Sequence, residues 1–160
     1  MPEEEAYDHY RLEAIDRFTN MLRRSFFTSL YSFLETQLVK ECRSRKSQDT
    51  PLSFSEIAGQ SDIEKAKIYF AKVLRVYFPS DTPEWQEIQH YRLLRNCLVH
   101  NQGRLDDTRD YKALREYAAS KNGLSIQDDE IYLGKEFCKE ANQNIKAFLC
   151  LLLFSNRGAS

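Results

Sequence analysis

Residues 4–45 constrain this chain more than any other stretch. Ile15, Phe18, Leu22, Phe26, Leu30, Phe33 and Leu38 recur at steps of three, four or five, mostly the helical period, with charges clustered between them. One straight helix over that span is about 60 Å long at ~1.5 Å per residue. That is long for a compact domain of this size, so the sequence predicts a bend or a protruding end. The run RSRKSQDTP, residues 43–51, ends the helix: cationic side chains suit a helix C-terminus and Pro51 stops continuation.

The remaining chain is also helical in pattern. Five Gly and four Pro in 160 residues argue against many short strands and turns. Hydrophobic residues at 42% and charged residues at 29% fit one ordinary globular domain over residues 1–160 with a single core. Ser61 or Asp62 caps a helix over 63–77, with Ile63, Ala66, Tyr69 or Phe70, Val73 and Tyr77 facing inward. SDTPEW starts the next: Asp81 or Thr82 caps and Pro83 takes the first helical position. That helix runs to about residue 100, and a short one is expected over 108–120. Residues 122–134 alternate Leu124 and Ile126 with polar residues, then give EIYL after QDD, which predicts a small β-hairpin. A last helix spans 135–154 with Phe137, Ala141, Ile145, Phe148 and Leu152 on one face. The expected fold is an all-α bundle of four to five helices with a small β-hairpin before the last helix.

Composition narrows function. The formal net charge is −1, so no global basic field draws the chain onto nucleic acid, and RNA or DNA binding needs a local patch. Cys42, Cys97, Cys138 and Cys150 form no CxxC pair and no zinc spacing, and read as free thiols in a reducing cytoplasm. QDDE, residues 127–130, supplies too few ligands for a calcium loop. No Gly-rich phosphate loop, nucleophile elbow or paired metal-binding histidines are present, so neither metal nor cofactor is expected. The acidic MPEEEAYDHY start has no basic or apolar leader region, and the longest apolar run, residues 148–154, is too short to span a bilayer. The expected setting is the cytoplasm, without a membrane partner.

One constellation carries chemistry. On a wheel at ~100° per residue with Trp85 at zero, Leu94, Leu98, Tyr91, Ile88 and Val99 span roughly 180° to 320°. Arg95 falls inside that sector. Arg92, Asn96 and His100 form a polar stripe at i, i+4 and i+8, with Leu93 and Cys97 beyond it. A stripe flanked by apolar side chains on both sides suits a cleft between a monomer core and a second subunit. Arg gives permanently charged donors for phosphate oxygens, and His moves a proton near neutral pH. The bare spacing recurs by chance, and a structural reading stands beside the catalytic one. In it, Arg95 pairs with Glu87 or another acid and His100 caps the helix dipole.

The stretch LRNCLVHNQG resembles the signature of the HEPN superfamily (higher eukaryotes and prokaryotes nucleotide-binding domains). That signature is an Arg, four to six residues, then a His at the end of an inner helix, often with Asn after the Arg. Arg95, Asn96 and His100 match it. SDIEKAKIYFAKVL, the EW before the motif and DDEIYLGKEF look like segments of small bacterial HEPN-like proteins, so the resemblance runs from about residue 10 to 154.

The resemblance implies a metal-independent endoribonuclease of the toxin–antitoxin or phage-defence kind. It implies a homodimer with a composite site and, beside the RNA substrate, an antitoxin or defence-system partner protein. His100 would handle the proton of the 2′-OH or of the leaving 5′-oxygen, Arg95 the scissile phosphate, and Asn96 the orientation of His100 or the phosphate. Arg92, Arg104 and Arg109 are candidates for lining an RNA groove, diluted by Asp106, Asp107 and Asp110. HEPN toxins modified by a nucleotidyltransferase carry Tyr two residues after the His. Gln102 stands there, which argues against that chemistry. Some HEPN domains are non-catalytic modules that bind RNA, nucleotide or protein, and that reading is the alternative.

Overall fold

A computed structural model describes residues 3–106 and 108–155. The chain is predominantly helical: α1 (Glu3–Ser44), α2 (Asp62–Ile68), α3 (Pro83–His100), α4 (Tyr111–Ser120) and α5 (Lys135–Ser155). A hairpin, β1 (Leu124–Gln127) and β2 (Glu130–Leu133), precedes α5. Among the described residues no helix is long and apolar enough to cross a membrane. The fold divides into two compact units. A hairpin unit takes the chain to Ser29 and Leu93–Ala141, and an aromatic unit takes Leu30–Arg92 and the chain from Asn142.

In the hairpin unit, Leu124 pairs with Leu133, Ser125 with Tyr132, Ile126 with Ile131 and Gln127 with Glu130, antiparallel. The turn residues Asp128 and Asp129 both have positive φ, 47° and 59°. Two left-handed residues make the tight turn whose twist matches flanking strands, and Asp tolerates that conformation. The Asp pair is therefore a turn, and Asp129 also pairs with Arg115. Leu124, Ile131 and Leu133 are buried with Phe27, Leu114, Tyr117 and Phe137, whose ring lies 5.6 Å from that of Phe27.

Asn20 is the buried polar residue of this core. Its Nδ2 donates to the Ile131 carbonyl at 3.1 Å, and its Oδ1 accepts from the Leu133 amide at 3.0 Å. It thus stands in for a strand partner at the Ile131 carbonyl and Leu133 amide on the outer edge of β2. Asn20→Ala leaves the Leu133 amide buried and unpaired. We expect a loss of ~2–3 kcal/mol in chemical denaturation. Faster exchange of the Leu133 amide should accompany it; an unchanged midpoint would refute the assignment.

In the aromatic unit, Phe78, Trp85 and Phe148 form a ring cluster with centroids 5.0 to 5.7 Å apart. Ser61 caps α2, accepting from the Glu64 amide, and Thr82 Oγ1 accepts from the Trp85 amide ahead of α3. The expected helix over 63–77 ends early. After Ile68 the backbone opens into a π-helical turn, Tyr69–Leu74, stopped by Arg75 at φ 54°. The wider turn buries both Tyr69 and Phe70, and it takes Tyr77 out of the core. Tyr77 is exposed, its hydroxyl donating to Asp81, and Phe78 is buried instead.

Of the apolar series that marks α1 as a helix, Leu38 is fully buried, but most of the series is not the core face. Ile15, Phe18, Leu22 and Phe26 are each about half exposed or more in the hairpin unit, as is Phe33 in the aromatic unit. The covered residues are Asn20 and Phe27 in the first unit, and Tyr31, Leu34, Leu38 and Cys42 in the second. Apolar side chains occur on more than one side of α1, and packing selects one. All five residues named for α5 are buried.

Candidate functional site

Helix α3 ends at His100 because the chain turns left-handed there. Gln102 has φ 53° and Gly103 φ 81°, and the amides of Asn101 and Gly103 both donate to the Cys97 carbonyl, at 3.0 and 3.1 Å. Gly103 accepts this conformation without strain. The loop then runs alongside β2: the Ile131 amide donates to the Gly103 carbonyl at 2.9 Å, and the Leu105 amide to the Asp129 carbonyl at 2.8 Å. Arg104 forms an isolated antiparallel bridge with Glu130. His100 is thus the last helical residue before a loop pinned to the hairpin.

The last turns of α3 bury Leu94, Cys97 and Leu98. On the wheel these cover roughly 120° to 220°. Two expectations change as a result. Cys97, expected on an outer apolar flank, is a core residue whose thiol donates to the Arg104 carbonyl at 3.3 Å. Burial pushes that thiol up to about 11, as it pushes Cys42 up to about 12, so both are poor nucleophiles at neutral pH. Val99, expected within the core sector, is 48% exposed. The open face of the last turns therefore carries Arg95, Val99, Asn96 and His100 together, and Arg95 stands at the core's edge rather than inside the apolar sector.

Arg95 is half-buried, and its Nη1 donates to Asn96 Oδ1 at 3.3 Å. Among the described residues no carboxylate lies within ion-pair distance of it, and its Nε is buried without a hydrogen-bond partner. The pairing of Arg95 with Glu87 or another acid that the structural reading requires is not made among the described residues. A guanidinium short of partners at a protein surface is competent to take an anion. His100 is exposed at the end of the same helix.

The flanking arginines divide differently. Arg92, in the aromatic unit, is held by Glu64 at 3.0 Å, so its charge is already offset. Arg104 is held in a fork by Asp106 at 2.8 and 3.2 Å. Arg109 is exposed in the loop before α4, and Asp107 lies outside the described residues. The structure thus places Arg95, Asn96 and His100 on one face, and it ties two of the three proposed groove cations to acids.

Sequence reasoning missed Arg24. It lies on α1 between Arg23 and Ser25, and nothing in its neighbourhood singles it out. Its guanidinium reaches the loop after His100 and strand β2 through several contacts.

No protein-family model matches this chain, and no curated protein or solved structure matches it significantly. Fold and site together define a predominantly helical protein whose third helix closes on an Arg–Asn–His face.

Proposed function

We propose that this chain is an HEPN-like, metal-independent endoribonuclease that acts as a homodimer. A role as a toxin or phage-defence effector in the cytoplasm, with a partner protein controlling it, fits that class. The observation that carries the reading is Arg95: a half-buried cation with no carboxylate partner among the described residues, sharing an open helix face with Asn96 and His100. Val99 on the same face offers an apolar contact to a second copy.

In this reading the two copies bring two His100 imidazoles to one phosphate. One takes the proton from the 2′-hydroxyl as its oxygen attacks phosphorus. The other gives a proton to the 5′-oxygen as the P–O5′ bond breaks. Arg95 holds the nonbridging oxygens while charge builds there, and Asn96 steadies the Arg95 fork. The products are a 2′,3′-cyclic phosphate and a free 5′-hydroxyl.

A second reading, a non-catalytic HEPN-like module binding RNA, nucleotide or protein, draws on the pairing of Arg92 with Glu64 and Arg104 with Asp106. It leaves little free cation to hold a long RNA. An RNA-cleavage assay in EDTA separates the two. We expect cleavage with cyclic phosphate ends, abolished by a single 2′-deoxy substitution at the scissile position. Intact RNA with clean protein, at concentrations where the chain is dimeric, would overturn the nuclease reading.

A further inference from the structure

We infer that Arg24 is a positioning residue for His100, acting through the loop that closes α3; the inference rests on the nuclease reading for its functional consequence. The Arg24 side chain is 17% exposed, and its fork is spent on three residues of two segments, the loop after α3 and strand β2. Nη1 donates to the Gln102 carbonyl at 3.0 Å, two residues beyond His100. Nε donates to the Ile131 carbonyl at 3.1 Å, which Nη2 also reaches. Nη2 pairs with the Glu130 carboxylate at 2.9 Å.

Planar donors pointing in fixed directions can satisfy this set, and a single ammonium cannot. The loop is shaped around the group. A Cβ on Gly103 would stand 2.7 Å from Arg24 Cζ, so glycine here admits the guanidinium as well as the left-handed backbone. Gln102 keeps a left-handed conformation that costs a non-glycine residue energy, and its carbonyl is the atom Arg24 holds.

The mechanical consequence follows from the connections. The Cys97 carbonyl receives the amides of Asn101 and Gly103, so the last turn of α3 and the loop move as one piece. The Gly103 carbonyl and Leu105 amide fix that piece to the hairpin, at Ile131 of β2 and Asp129 of its turn. Arg24 ties both to α1. Without it, the helix end that carries His100 is free to fray, and an acid–base group misplaced by about 1 Å loses on the order of 100-fold in rate.

The test uses the full-length protein with Arg24→Met, Arg24→Lys and Gly103→Ala. Amide exchange at Gly103 and Leu105 is read against Leu114, whose amide caps onto Asp110 within the same unit. We expect Arg24→Met to speed exchange at Gly103 and Leu105 by about tenfold or more, with Leu114 unchanged. The His100 imidazole signal in NMR should broaden. RNA turnover should lose on the order of 100-fold in kcat with KM within about threefold. Arg24→Lys should recover stability but only part of kcat, and Gly103→Ala should reproduce the local exchange change. Unchanged exchange at Gly103 and Leu105 would overturn the inference, as would a uniform rise at all three amides. If the unaltered protein cuts no RNA, the nuclease reading fails alone, and the exchange and His100 signals still decide the role of Arg24.

Discussion

Replacing His100 by Ala is expected to lower RNA cleavage by at least about 100-fold, the usual range for losing a positioned acid or base. In the proposed two-copy site a larger loss is the expectation, because one substitution removes both imidazoles. Arg95→Ala is expected to cost on the order of 100- to 1000-fold through lost charge stabilisation in the transition state. Neither change should unfold the protein. His100 is exposed, and among the described residues Arg95 has no acid whose charge would be stranded. Surface changes of this kind stay within ~0.5 kcal/mol. Arg95→Lys keeps the charge and loses the fork, so it should recover part of the rate. The measurement is single-turnover cleavage of a defined RNA in EDTA, paired with thermal melts. Two folded variants with native rates would place the chemistry elsewhere.

Phe148→Ala is expected to cost ~3–5 kcal/mol, the range for emptying a buried aromatic site. Phe148 is fully buried, stacked on Trp85 at 5.7 Å and set against the edge of Phe78 at the same distance. The rings that surround it, Phe78 and Trp85, also meet each other at 5.0 Å. Phe33→Ala is the control. It removes the same atoms from a residue that is 52% exposed, and should fall within ~0.5 kcal/mol. Urea denaturation of both variants checks the pair. Similar losses in the two would mean that the exposed series on α1 is covered in solution.

Several elements were legible from spacing alone. The hairpin around the polar QDD run, the capping stretches at Ser61–Asp62 and Asp81–Thr82, and the buried face of α5 all depend on neighbours within a few residues. Local rules reach that far. They fail where two answers satisfy the same rule. On α1, helical periodicity runs through the exposed Ile15, Phe18, Leu22 and Phe26, while Phe27 packs inward. After Ile68, a regular helix and a π-helical turn differ only in whether Tyr69 and Phe70 can both be covered, which their neighbours decide. On α3, the wheel gave a core sector that included Val99 and excluded Cys97. The real sector is rotated, because what covers the last turns comes from chain far away in sequence.

By itself, the sequence determined the order of helices, the hairpin before the last of them, and the gathering of Arg95, Asn96 and His100 at one helix end. These are consequences of backbone period and turn propensity, both local. Only the tertiary structure decided that, among the described residues, Arg95 has no acid beside it while Arg92 and Arg104 do. It alone showed Arg24 reaching across 78 and 107 residues to hold the loop that follows His100. Ion pairing and burial are relations between segments, and their energy depends on which groups folding brings within a few ångströms of each other.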